Sequence, residues 1–414
     1  MKRTILTVSV CLGLTPSGGA YATDWALNST LSETVEANSN PFLATIPAGT
    51  LSSYSTLNVN AVALTPTSKF TFDGDESYRK YWGPGIDGVP SESLYGDVKA
   101  HYETFGKDPS DREYINGSLT SQSSAFALLG QLGLVTNVRG YLQTSHIDGG
   151  IDRNVNALDF LSLQGGTTYT AFDPGSGGTP LTDSTATASW RHRWDSLLTL
   201  TASSNAEEIN FANIQQSKVT ILRENAGFEV TFSPLLSFRG TWGAAFVQSQ
   251  GGSAATSLGG TTTSGSGSDV GFITDMLLTY KVFPDTTLTL AGVQSISPSL
   301  VGSLAELSTI RAGVAYTINP RSTLSFAADA DRQTSAGVET DFASFSTTYG
   351  YLLTREWSAQ LSYRYLHRFA SPASAGATID PITGLPILSG LGAANSNSLM
   401  LVVSRSLSIL PDGY

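Results

Sequence analysis

From Glu356 to Phe369 apolar and polar positions take turns. Odd positions carry Trp357, Ala359, Leu361, Tyr363, Tyr365, His367 and Phe369; even positions carry Glu356, Ser358, Gln360, Ser362, Arg364, Leu366 and Arg368. Successive side chains of a strand point to opposite faces, so this spacing predicts a strand with one aromatic face and one mostly polar face. The same period of two recurs upstream. Leu324, Phe326, Ala328 and Ala330 alternate with Ser325, Ala327, Asp329 and Asp331, and Met276, Leu278, Tyr280 and Val282 with Asp275, Leu277, Thr279 and Lys281. Ile310, Ala312, Val314 and Tyr316 likewise alternate with Thr309, Arg311, Gly313 and Thr317.

The breaks between these segments are regular too. Tight turns are predicted at Thr65-Pro66-Thr67, Asp108-Pro109, Trp194-Asp195, Ser233-Pro234, Phe283-Pro284-Asp285, Asn319-Pro320-Arg321 and Thr354-Arg355. Their Pro, Asp and Asn residues supply turn geometry and do not continue a ladder. Between them lie longer polar connections at 205–216, 250–267, 297–304 and 370–395. The predicted strands fall near 24–36, 52–64, 68–75, 93–105, 112–121, 156–163, 167–172, 183–192, 196–204, 217–232, 236–249, 269–282, 286–296, 305–318, 323–333, 338–352, 356–369 and 396–409. Ala125–Val135 does not alternate, and 122–150 reads as a loop or plug element.

Alternating strands suit a soluble sandwich or a transmembrane barrel. Segment length separates them: several run about 12–15 residues, against about 5–6 in ordinary sheets, and a tilted membrane strand needs about 9–11. Short turns alternating with long loops are the barrel pattern. Trp190, Trp194, Phe232, Tyr280, Phe283, Tyr351 and Trp357 gather beside the short turns, where amphipathic rings meet a membrane surface. The expected fold class is all-β, a transmembrane antiparallel up-and-down β-barrel of about 18 strands, with about 16 as the alternative. An even count would put both termini on one side, the periplasm.

Composition narrows the classes. The chain of 414 residues is 40% hydrophobic and 14% charged, where soluble domains carry about 25% charge. No apolar run reaches the ~20 residues of a membrane helix. The formal net charge of -11 argues against a nucleic-acid partner, which needs a basic face. At the N-terminus, Lys2 and Arg3 precede the apolar stretch Ile5–Leu14 and then Ala20-Tyr21-Ala22, the three-part pattern of a secretory signal peptide over 1–22. Residues 23–414 would then form the barrel. The single cysteine, Cys11, lies inside that leader.

Candidate chemistry is thin. Gly83-Pro84-Gly85-Ile86-Asp87-Gly88 matches a dinucleotide-binding spacing, but its internal proline and Val89-Pro90 prevent the helix that mechanism needs. His101, His146, His192 and His367 are not spaced as metal ligands. His101 with Asp97 and Glu103 shares one parity, but without a nucleophile elbow it reads as wall, and no enzyme is expected. Asp73-Gly74-Asp75-Glu76 reads as a solvated loop. No cofactor and no metal site are expected.

For a channel, the chemistry belongs to positions of interior parity. The candidates are Arg223, Glu229, Arg239, Asp275, Lys281, Arg311, Asp329, Asp331, Glu356, Arg364 and Arg368. Basic and acidic members nearly balance, either pairing across the lumen or lining it. The surplus is upstream: 73–113 holds ten acids against five bases, which would favour cations if that region faces the passage.

The hairpins Asn319-Pro320-Arg321-Ser322-Thr323-Leu324-Ser325-Phe326 and Thr354–Tyr365 resemble those of the proteobacterial outer-membrane β-barrel porins of the "porin 2" type, across roughly 150–409. That resemblance implies a location in the cell outer membrane. It also implies partners: outer-membrane lipid, the barrel-insertion machinery and small hydrophilic solutes. Pro411-Asp412-Gly413-Tyr414 after the last strand departs from the usual closing aromatic. The expected function is passive diffusion of small hydrophilic solutes or ions. A dedicated exporter, for example of polysaccharide, and a non-transporting surface barrel are the alternatives.

Overall fold

The computed structural model describes residues 24–44, 46–86, 91–106, 110–124, 140–173, 178–212, 217–250, 267–298, 304–335, 338–370, 378–379, 386–387 and 392–410. The leader 1–22, the turn Asp108-Pro109, Ala125–Val135, most of the Gly/Ser/Thr tract 250–267 and Pro411–Tyr414 lie outside the described residues.

The alternation closes into one sheet. Its strands are β1 (Asp24–Asn38), β2 (Thr50–Leu64), β3 (Ser68–Trp82), β4 (Glu92–Phe105), β5 (Arg112–Ser123), β6 (Tyr141–Asn154), β7 (Asp159–Phe172), β8 (Leu181–Arg193) and β9 (Leu198–Phe211). They continue as β10 (Lys218–Ser233), β11 (Leu236–Gln250), β12 (Gly267–Phe283), β13 (Thr286–Pro298), β14 (Leu304–Asn319), β15 (Ser322–Ser335), β16 (Val338–Leu352) and β17 (Trp357–Arg368). After a minor ladder of β18 (Thr378–Ile379) and β19 (Pro386–Ile387), β20 (Ala394–Leu410) completes the set. Each strand pairs antiparallel with its chain neighbours, β17 pairs with β20, and β20 pairs with β1. The result is a closed 18-stranded barrel, so no edge strand is left to be satisfied.

Register makes the two faces chemically different. Leu278, Leu290, Ala312, Ala328, Phe345 and Tyr365 face one another across successive strands. The neighbouring row on the opposite face reads Thr279, Thr289, Gly313, Ala327, Ser346 and Arg364. The first row is the convex, solvent-open wall: Leu290 is 48% exposed and Phe345 41%. The second is concave. Arg223 of β10 reaches the Ile296 carbonyl of β13, a strand that is not its neighbour, and such a contact forms only across the inside of a barrel. An outer wall rich in exposed Leu, Phe, Tyr and Trp belongs in hydrocarbon, and strands of 12 to 17 residues are long enough to cross it. The aromatic residues expected at the short turns are all exposed, from Tyr351 to Trp194. Two carboxylates that interrupt the outer wall keep hydroxyl partners. Glu33 accepts from the Ser53 and Ser55 hydroxyls at 3.3 and 2.6 Å, and Glu224 from the Ser204 hydroxyl at 2.7 Å, so neither is left bare.

Hairpins meet by short turns at one end, among them Ser233–Leu236 and Asn319–Ser322, and by longer connections at the other. Both chain ends of the barrel lie at the short-turn end, since Asp24 pairs with Leu64 and Leu27 with Leu410. At the long-loop end the glycine-rich stretch proves to be a packing device. Gly83 has φ +113°, Pro84–Ile86 makes a single 3-10 turn, and a Cβ on Gly85 would sit 2.3 Å from the Ala48 carbonyl oxygen.

The strand total agrees with the sequence, but four assignments change. The segments 156–163 and 167–172 are one strand, β7. Gly165 and Gly166, which look like a turn, face Gly149 and Asp148 of β6, and a Cβ on Gly166 would come 2.6 Å from the Asp148 Cβ. Close backbone approach, not a reversal, is what they serve. Residues 141–150, assigned to a loop or plug, belong to β6. Asp73–Glu76 sits in the middle of β3, not in a loop. Most of the connection expected at 205–216 is strand, because β9 runs to Phe211.

Candidate functional site: the inner wall

The concave face divides into three sectors. The first spans β2 to β7 and is the most polar. Asp73 accepts from Asn60 Nδ2 at 2.5 Å and Asp75 from Asn58 Nδ2 at 2.9 Å. Asp97 is the register partner of Asp75 and holds Lys99 Nζ at 2.6 Å and the Thr120 hydroxyl at 2.9 Å. Beside them a hydrogen-bonded chain crosses the wall. Thr168 meets His146 Nδ1 at 2.8 Å, His146 Nε2 meets Asp148 at 2.8 Å, and Asn116 Nδ2 donates to Asp148 at 2.8 Å. Asn116 also bonds His101, whose Nε2 lies 3.6 Å from Glu103. Glu103 in turn faces Lys69 at 3.7 Å, and Arg112 Nε bonds Asp152 at 2.5 Å. Among the described residues, Asp73 and Asp75 are held by amides alone, whereas Asp97, Glu103 and Asp152 each have a cation.

The second sector is apolar. Leu181, Ile209, Val219, Ile221, Val247 and Ile273 project inward from β8 to β12 near the long-loop end, and none exceeds 6% exposure. Ile296 and Leu304 complete their packing. At the margin, Arg223 pairs with Glu207 and donates to Asn205 Oδ1 at 2.7 Å and to the Ile296 carbonyl at 2.8 Å.

The third sector, β14 to β17, carries paired charges. Arg311 bonds its register partner Asp329, which also accepts from the Ser344 hydroxyl at 2.9 Å. Asp331 accepts from the Thr309 hydroxyl at 2.7 Å. The Arg311–Asp329 pair lies along the wall between adjacent strands.

The residues singled out in the sequence sort as follows. Arg223, Glu229, Arg239, Asp275, Lys281, Arg311, Asp329, Asp331, Arg364 and Arg368 all have concave register. Glu229 and Arg239 are direct register partners. Arg368 is only 2% exposed and donates to the Gly392 carbonyl at 3.1 Å, so it tethers the β17–β20 connection. Glu356 is the exception. It lies in the turn before β17 and accepts from Arg405 at 3.2 Å, beside the exposed ring of Trp357, over which the Arg405 guanidinium sits at 5.6 Å. One residue of turn before the ladder begins removes the parity that placed it inside. Sequence reasoning assigns Asp73 and Asp75 to a solvated loop and passes over Asp148 and Asp152, because glycines and polar outward residues blur the alternation of β3 and β6. The signal is present in Phe70 and Phe72 flanking Thr71 and Asp73, and in Ile147 and Ile151 flanking Asp148 and Asp152.

Closed sheet, apolar convex wall and polar concave wall together define a transmembrane β-barrel. Neither protein families nor curated proteins give a match to this sequence, so the hairpin resemblance to "porin 2" barrels stands on those hairpins alone. Solved structures with a similar course of chain are outer-membrane barrels. OccK2 (OpdF) of Pseudomonas aeruginosa is 11% identical, over 94% of this chain and 98% of that one, with a TM-score of 0.49. The apoprotein form of the FrpB iron transporter of Neisseria meningitidis is 8% identical over 93% and 81%, also at 0.49. The ferric-catecholate import receptor Fiu of E. coli K12 is 10% identical over 92% and 81%, at 0.47. Likeness at this distance carries no inference about cargo.

Proposed function

We propose that this protein is a passive channel of the outer membrane, of porin type, for small hydrophilic solutes and ions. The observation that carries the reading is the concave wall itself. An 18-stranded barrel is wide enough to hold water, and its inner wall from β2 to β7 is a run of hydrogen-bonded carboxylates, amides, hydroxyls and imidazoles. Such a wall needs water against it, because a dry interior of this polarity would strand many of these groups without hydration. The concave residues Arg239, Asp275, Lys281, Arg311, Asp331 and Arg364 then line the passage, and Asp73 and Asp75 add negative charge to it. In this reading the short-turn end, with both termini, faces the periplasm. Strand β20 is the segment offered to the insertion machinery, and the wall has no catalytic duty.

Proteoliposome swelling tests the reading. Vesicles carrying the folded protein are expected to swell in iso-osmotic arabinose or glucose, and progressively more slowly as the sugar lengthens. Vesicles that stay at the rate of empty liposomes, with the barrel folded and inserted, would favour a dedicated exporter or a surface barrel.

A further inference from the structure

At the long-loop end the barrel does not simply end; it overlaps itself. The ladder between β12 and β13 runs from Phe283↔Thr286 to Thr274↔Gln294 and stops there. Above that point β12 stays paired with β11 up to Gly267↔Ser249. Strand β13 stays paired with β14 up to Pro298↔Leu304. The sheet is therefore split along this seam.

The side chains show which lip lies inside. By register Ile296 and Leu304 share a face with Leu288, Leu290 and Ile310, the convex face lower down. Yet Ile296 is 3% and Leu304 5% exposed, and both pack with Ile221, Val247 and Ile273, which project inward. A convex face can rest on a concave one only if one lip slides inside the other. The upper end of β13 and β14 thus lies within the mouth, its outer face against the inner face of β8 to β12. Arg223 fastens it. The guanidinium is anchored on its own lip by Glu207 and Asn205, and Nη2 donates at 2.8 Å to the Ile296 carbonyl of the other. That carbonyl lies beyond the last β12–β13 pair, so the ladder between those two strands does not use it.

We propose that this tucked end of β13 and β14 is a flap that narrows the mouth, that Arg223 is its latch, and that releasing the latch widens the passage. The width component rests on the channel reading; the tuck and the latch do not. The apolar surface beneath makes the closed arrangement favourable by itself, since opening exposes Ile221, Val247 and Ile273 to water. The charged tie made by Arg223 sets how long the flap stays shut. Because Glu207 is 5% exposed on its side chain, removing Arg223 also leaves a carboxylate that seeks water at this seam.

The test uses the full barrel in a Cys11→Ser background with Ile221→Cys as reporter. Ile221 is wholly buried under the flap. A water-soluble maleimide is expected to label the reporter thiol slowly with Arg223 present, and at least about tenfold faster in Arg223→Gln, with Arg223→Lys between them. In planar bilayers Arg223→Gln is also expected to show larger or flickering openings. Equal labelling of the reporter with Arg223 intact and in Arg223→Gln, both proteins migrating as folded barrels, overturns the latch. Wild-type protein that does not conduct but still shows the labelling difference would refute the channel and leave the latch standing. If Arg223→Gln does not fold, the pair Ile273→Cys and Ile296→Cys serves instead. Oxidation is expected to form a disulfide that reduces conductance and that reductant reverses; failure of that bond to form in the folded barrel overturns the tuck.

Discussion

Leu290→Arg is expected to destabilise the inserted barrel by about 2–4 kcal/mol, while Thr289→Arg, one residue away, should cost less than about 1 kcal/mol. Leu290 lies in the middle of the convex wall, 48% exposed, in the apolar row with Leu278 and Phe345. An arginine there must leave water for hydrocarbon or drag a defect in with it. Thr289 faces Thr279 and Gly313 on the concave wall, where a guanidinium keeps its hydration. Urea-dependent refolding into phosphatidylcholine vesicles, followed by the gel shift between folded and unfolded forms, measures both. Equal costs at the two positions would mean that the convex wall does not face lipid. A soluble barrel would give the inverse order only if its inside were dry, which the carboxylate network of β3 to β6 forbids.

The second large effect concerns ion preference. Replacing Asp73, Asp75 and Asp97 together by Asn is expected to lower cation-over-anion permeability by on the order of tenfold, through the local potential that carboxylates set at a confined wall. Among the described residues Asp73 and Asp75 form no ion pair, being held by the amides of Asn60 and Asn58. Asp97→Asn adds to the change by freeing Lys99, now 2.6 Å from it, to act as a positive wall charge. The reversal potential across a KCl gradient reads the outcome directly. An unchanged reversal potential would place these residues away from the ion path. Asn keeps the shape and one acceptor of Asp, so the barrel should retain its folded mobility.

How much of this can be read from residues depends on how each strand divides its chemistry. Strand β16 is predicted at 338–352 and found there. Its outward Phe345, Tyr349 and Tyr351 and inward Ser344, Ser346 and Thr348 leave no ambiguity. Strand β6 escapes the pattern because Tyr141–Asn154 carries Gly149 and Gly150, Ser145 and Gln143, so that only Ile147 and Ile151 mark its outer face. The same small and polar outer positions hide the upper half of β3, where Gly74 and Glu76 interrupt the apolar row and make Asp73–Glu76 look like a loop. Parity carried from a confirmed strand into a turn fails once, at Glu356, because a turn has no parity. What no local pattern holds is the overlap at the β12–β13 seam. Ile296 obeys the outward alternation of β13 in sequence and is nevertheless inside, since its burial depends on where the β12–β13 ladder stops. Arg223 is legible as an inward residue, but its partner Ile296 is 73 residues away and contributes only a backbone carbonyl.

In the proposed channel reading an open, water-filled passage runs between the polar sector of β2 to β7 and the charged sector of β14 to β17. Single-channel recording in a planar bilayer addresses it most directly. Purified, folded wild-type barrel in a concentrated KCl solution is expected to give stepwise, long-lived openings with ohmic conductance. Insertion without conductance, established by protease protection of the same protein in the same lipid, would contradict it.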